Sequence, residues 1–283
     1  MAKRARVLIA ALFVALLALL AWTSLRKTGS EPVFEGKPLN EWLLQLKDSN
    51  SDVERIKAAE AVRHIGTNAI PTLLQMLREE ESPFETKYLA WHRGWYNPFV
   101  IHLKGLGGPA DIFERAEAGF RELGPSAAAA VPELSRMLDR EPSLDGTSYV
   151  PSILGNIGPG AKAAVPALLR AALSTNTLEH FYELDALGQI HADPDSVVPV
   201  LIGIISNAPK DRIYAVRALG QFRGEAKSAV PALVALLNDP NLQGNSSRKG
   251  LITDRFRVES ALQKIDPETY ARVVTNTDPA STR

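Results

Sequence analysis

Five histidines and no cysteine bound the chemistry open to this 283-residue chain. Without thiols there is no disulfide, no thiolate metal site, no cysteine nucleophile and no lipidated cysteine. His92 and His102 match no ligand spacing, and no acidic residue lies between them. Asp193 and Asp195 in HADPDS (191–196) suggest a calcium loop, but the glycine and distal glutamate of an EF-hand are missing, so a polar turn is expected. No serine sits in a Gly-x-Ser-x-Gly elbow. Gly105, Gly107 and Gly108 are not followed by the Gly-Lys-Ser/Thr of a phosphate loop. His64 and His191 fall near expected helix ends, where a solvated or capping histidine is ordinary. These residues assign no catalytic group, no metal ligand and no cofactor.

The stretch ETKYLAWHRGWYNPFVIHLKG (85–105) is different. It carries Tyr88, Trp91, Trp95, Tyr96 and Phe99 with His92, Arg93 and His102 among them. Trp, Tyr and Arg supply large contact area and dominate interface hot spots. Trp91, His92, Arg93, Trp95 and Tyr96 are therefore the candidate partner-binding residues. The competing expectation is a degenerate repeat whose aromatics fill gaps in an irregular stack.

Around this stretch the chain repeats. Pro132, Pro166, Pro199 and Pro231 follow at spacings of 34, 33 and 32, each preceded by valine. Three, six and seven residues after that valine come Leu134, Met137, Leu138; Leu168, Ala171, Ala172; Leu201, Ile204, Ile205; and Leu233, Leu236, Leu237. Ile70 before Pro71 leads to Leu73, Met76 and Leu77. This is the spacing of one helix face, and proline at a helix start loses no hydrogen bond. A first helix precedes each: Ile213, Val216, Leu219, Phe222; Phe181, Leu184, Leu187, Ile190; and Ile56, Ala59, Val62, Ile65. Small residues stand beside the third position (Ala218, Ala186, Ala61), as close stacking requires. Ser51 and Glu54 form a capping-box pattern. Gly124-Pro125 and Gly158-Pro159 mark turns where a left-handed residue is needed. From Pro71 to Pro132 is 61 residues, nearly two periods, and the aromatic stretch lies in the excess.

In IGPGAKAAVPALLRAAL (157–173), FRGEAKSAVPALVALLND (222–239) and AVRALGQF (215–222), the sequence resembles the HEAT repeat family in its short, phycobiliprotein-lyase-like form. The resemblance covers about five repeats and a partial one (Arg255 to Ile265). EGKPLNEWLLQL (35–46) is similar to the opening of exported bacterial HEAT proteins, with Leu39, Trp42, Leu43 and Leu46 on a capping helix. The resemblance implies an all-α, armadillo-like α-solenoid of stacked helical hairpins over residues 38–274, interrupted at about 81–113. It implies binding of proteins or peptides. A di-iron branch needs several His-Glu pairs, and Glu179-His180 is the lone, reversed pair. The chromophore lyases of the family lend only their repeat fold.

The N-terminus reads as a membrane segment within residues 1–27. Lys3, Arg4 and Arg6 precede 19 uncharged residues, Val7 to Leu25, long enough at about 1.5 Å per residue to span a bilayer. An uncleaved signal anchor and a cleaved signal peptide both fit. The basic residues favour an extracytoplasmic C-terminal domain, with secretion or release to the periplasm if the segment is cleaved. Residues 28–37 read as a linker, and 275–283 as a polar tail without order. Lys+Arg and Asp+Glu both number 32, with no basic stripe, so nucleic acid is not an expected partner. The expected role is a membrane-anchored, non-catalytic scaffold. The alternative is an accessory enzyme or lyase-like protein with a pocket at residues 81–113.

Overall fold

A computed structural model describes residues 31–79, 109–140, 149–174, 180–239, 242 and 254–275. The expected membrane segment, the whole aromatic stretch (85–105) and the polar tail beyond Thr275 lie outside the described residues. No helix among the described residues is long and apolar enough to cross a membrane.

The described chain is all-α apart from one small hairpin. Strands β1 (Val33–Phe34) and β2 (Lys37–Pro38) pair antiparallel through Glu35 and Gly36, both at positive φ. The end of the expected linker is therefore structured. Helix α1 (Leu39–Asp48) follows and caps the stack. Trp42 is fully buried beneath it, donating Nε1–H to the Phe34 carbonyl at 3.1 Å.

Six helix pairs come next. They are α2 (Asp52–Ile65) with α3 (Ile70–Glu79), α4 (Pro109–Leu123) with α5 (Val131–Arg140), and α6 (Tyr149–Ile157) with α7 (Val165–Ala172). Then come α8 (Phe181–Ile190) with α9 (Pro194–Asn207), α10 (Arg212–Phe222) with α11 (Val230–Leu237), and α12 (Asp254–Ile265) with α13 (Pro267–Thr275). The partial last repeat thus gains a second helix, again opening on proline. No hairpin buries its apolar face alone; stacking makes one continuous core.

The turns inside hairpins follow one design. Gly66, Gly124 and Gly158 take φ of 62°, 50° and 68°, a region that costs other residues a Cβ clash. A 3₁₀ turn follows each. In that geometry residues three apart eclipse one another. Ala127 with Ala130, Ala161 with Ala164, and Ala226 with Ala229 all face inward, fully buried.

The fourth hairpin departs from the expectation. Pro199 does not open its second helix but lies inside α9, which begins at Pro194. His191 and Asp193, both at φ 50°, replace the glycine and the 3₁₀ turn, so the helix starts about one turn early. The first half of HADPDS (191–193) is a turn and its second half opens α9, and Asp193 pairs with Lys162 of the preceding hairpin at 2.9 Å.

First helices stack backbone to backbone. A Cβ built on Gly155 would lie 3.2 Å from Ala186 Cα, one on Gly188 3.1 Å from Ala218 Cα, and one on Gly220 3.3 Å from Ala261 Cα. Gln189 covers Gly155 and Gln221 covers Gly188. The expected small residues Ala186 and Ala218 therefore meet a glycine of the preceding helix. Ile56 is the exception to the expected core: it is 58% exposed, and Phe256 at the matching place in the last hairpin is 55% exposed. The end hairpins lack a full neighbouring hairpin on one side.

The stack is continuous between the first two hairpins. Helix α3 packs directly on α4. Arg63 reaches Glu122 at 2.7 Å and Arg78 reaches Glu133 at 2.8 Å.

Candidate functional site

The five candidate partner-binding residues, Trp91, His92, Arg93, Trp95 and Tyr96, lie outside the described residues. Two other places in the fold carry the side chains from which a site is usually built.

The first is the outward face of the second helices. On α5 the sequence VPELSRMLDR turns Leu134, Met137 and Leu138 inward and leaves Glu133, Arg136 and Asp139 outward. These charges pair along the stack. Glu133 binds both Arg78 of α3 and Arg136 of its own helix, and Asp139 holds Arg170 of α7 at 2.7 Å. Further along the face, charge disappears. From Val197 to Asn207 on α9, and throughout α11 (VPALVALL), no side chain ionises. Val200, Ile202, Ala232 and Val234 are half-buried there, and Pro199, Ser206, Pro231 and Ala235 are exposed. One face thus passes from a neutralised charge ladder to an uncharged, largely apolar surface.

The second place is buried. His180, Glu183 and Asp211 are 8%, 8% and 7% exposed and converge where α7, α8 and α10 meet. Asp211 precedes α10 and turns back. One carboxylate oxygen accepts the His180 backbone N–H at 2.9 Å, and the other lies 3.1 Å from Nδ1 of the same histidine. Burial pushes the Glu183 carboxyl above the usual carboxylate range. Its own backbone N–H and the nearby His180 oppose that shift, and Asp211 adds to it.

A carboxylate-oriented histidine is the base half of a catalytic triad, but this one is shut. Its Nε2 meets the Ser174 carbonyl at 2.9 Å, leaving no ring nitrogen to take a proton from a nucleophile. No hydroxyl donates to it among the described residues. No described group of three or more His, Asp or Glu side chains has the geometry to hold a metal ion.

Sequence reasoning weighed His180 only against an iron site and did not connect it with Asp211. The available signal was their separation of 31 residues, close to one repeat period, with both just ahead of first helices. The expected capping box also differs. Ser51 precedes α2 without a side-chain cap, and Glu54 instead accepts from Ser49 Oγ at 2.6 Å.

No curated protein matches the chain. The segment from Asp211 to Asp239 holds α10, its 3₁₀ turn and α11, and is closed on itself by an Arg212–Asp239 ion pair at 3.2 Å. Those same residues, 211–239, match the family model of the PBS lyase HEAT-like repeat, so the hairpin that the Val-Pro register marks is similar to a HEAT-type repeat.

Proposed function

We propose that the protein is a non-catalytic scaffold that binds another protein or a peptide along its second-helix face. The carrying observation is the uncharged outward surface of α9 and α11, which follows directly on the paired charges of α5 and α7. An apolar segment of a partner gains free energy by covering the first surface, about 25 cal/mol for each Å² removed from water. The neutralised ladder beside it repels neither acidic nor basic partners. The aromatic residues Trp91, His92, Arg93, Trp95 and Tyr96 form a second part of the same binding function. The N-terminal segment, residues 7–25, anchors the protein, with the solenoid extracytoplasmic.

The test places a photo-crosslinking residue at Ile202 or Val234 of the full-length protein in intact membranes. The expected result is a discrete adduct at both positions and none at Tyr182, on a first helix. Adducts at Tyr182 alone would overturn the choice of face. In parallel, a Trp91→Ala/Trp95→Ala double variant is expected to lose at least one partner in a crosslinking pull-down; retention of every partner would remove the aromatic stretch from the site. A phosphatase fusion at the C-terminus checks topology, and activity confined to the cytoplasm would reverse it.

A further inference from the structure

Three of the four buried polar or charged side chains among the described residues meet at one joint. Ser174 follows α7, His180 precedes α8 and Asp211 precedes α10, so the joint ties the third, fourth and fifth hairpins together. The imidazole bridges them: Nδ1 stands 3.1 Å from Asp211 Oδ2 and Nε2 stands 2.9 Å from the Ser174 carbonyl oxygen.

Both partners of the ring are acceptors. A carbonyl never donates, and an ionised carboxylate does not either. The two hydrogen bonds therefore coexist only while the ring carries a proton on each nitrogen. A neutral ring has one N–H and can make one of the two. We propose that this joint is a proton-sensitive clasp, in which the doubly protonated His180 locks the end of α7 to the starts of α8 and α10, and loss of one ring proton releases one side.

Among the described residues, Asp211 is the charged group hydrogen-bonded to the ring. From α7, Arg170 is engaged by Asp139 and only the Ser174 carbonyl arrives. From α8, Asp185 is held by Arg217 and Gln189, leaving Glu183. From α9, the lone ionisable group is Asp195, exposed in the first turn. From α10, Arg212 donates to the Ile205 carbonyl and to Asp239, Arg217 lies over the Phe181 ring, and Tyr214 packs on that same ring. Burial raises the Glu183 carboxyl above its ordinary range. The carboxylate that meets the ring directly is Asp211.

The sign follows. The two ring hydrogen bonds are complete only with a proton on each nitrogen, so the direction rests on the geometry of the two acceptors. The clasp tightens on mild acidification and slackens on going alkaline. Because it sits in the middle of the stack, slackening changes how the first three hairpins lie against the last three. The proposal does not depend on what the second-helix face binds.

The experiment is side-chain ¹H–¹⁵N NMR of the histidines in the full-length protein in detergent micelles across mildly acidic to alkaline pH, with hydrogen exchange at the His180 amide. The expected result is a His180 ring protonated on both nitrogens at the acidic end and singly protonated at the alkaline end. The His180 amide should lose about tenfold protection over that change, beyond intrinsic exchange, as for a weakened hydrogen bond. Asp211→Asn should abolish both the doubly protonated signal and the pH dependence. A ring that stays a single neutral tautomer throughout would overturn the clasp, and so would an amide equally pH-dependent in Asp211→Asn. The ring measurement on the unmodified protein decides the matter even if the variant does not fold.

Discussion

Gly188 of α8 and Ala218 of α10 touch backbone to backbone: a Cβ on the glycine would lie 3.1 Å from the alanine's Cα. That contact sets the distance between the fourth and fifth hairpins. Gly188→Val should therefore push two helices apart and cost about 1–3 kcal/mol of stability, as overpacking does. Gly203→Ala, on α9 with nothing within 4 Å of the new carbon, should instead stabilise by about 0.5–1 kcal/mol through helix propensity. Chemical denaturation of the two variants checks both; a tolerated Gly188→Val would mean that the helices do not meet there.

Arg223 stands where Gly66, Gly124 and Gly158 stand in the other hairpins, at φ 49° and ψ −133°. A Cβ is strained in that region. Arg223→Gly should raise stability by about 1 kcal/mol, and Gly158→Ala should lower it by a similar amount. The pair of opposite shifts in the unfolding midpoint is the measurement.

Glu183 makes stability depend on pH. Its carboxyl is raised above the ordinary value of 4.5 by burial, so the folded state holds its proton where the unfolded chain has lost it. The contribution is full below that value and declines as pH rises through the folded-state titration. Glu183→Gln, which stays neutral, should flatten this part of the stability–pH curve and leave the alkaline side more stable. Urea titrations at a series of pH values test it; an unchanged slope in the variant removes Glu183 from the account.

Asp266 has the opposite sign. It precedes α13 and accepts from both the hydroxyl and the backbone N–H of Thr269, at 2.8 and 3.1 Å, which lowers its carboxyl below the ordinary 3.8. Its capping contribution is present above that value and lost as pH falls through the folded-state titration. Asp266→Ala should fray α13, read as faster amide exchange at Thr269 and Tyr270 with no change in α10.

Leu219 is fully buried in α10. Leu219→Asp leaves a charge without a partner in the core and should cost about 3–5 kcal/mol. A thermal melt with no loss of stability would show that the register of the first helices is misplaced.

The sequence by itself determined the repeat and its facing. The Val-Pro register puts Leu134, Leu168, Leu201 and Leu233 inside, and all four are fully buried. It did so because burial recurs with helical period, and because proline and glycine carry backbone preferences of their own. Ile56 shows the limit of that reasoning: its type and spacing match the core, but its end hairpin leaves it uncovered. Pro199 shows another, since a proline inside a helix and one at its start look the same in one dimension. Tertiary structure alone decided that Gly188 meets Ala218, that the first two hairpins stack directly, and that His180, Asp211 and Ser174 share one joint. The Gly188–Ala218 and His180–Asp211 contacts join residues about one repeat apart. Only three-dimensional stacking, which follows from the summed packing of whole hairpins, brings them within hydrogen-bonding distance.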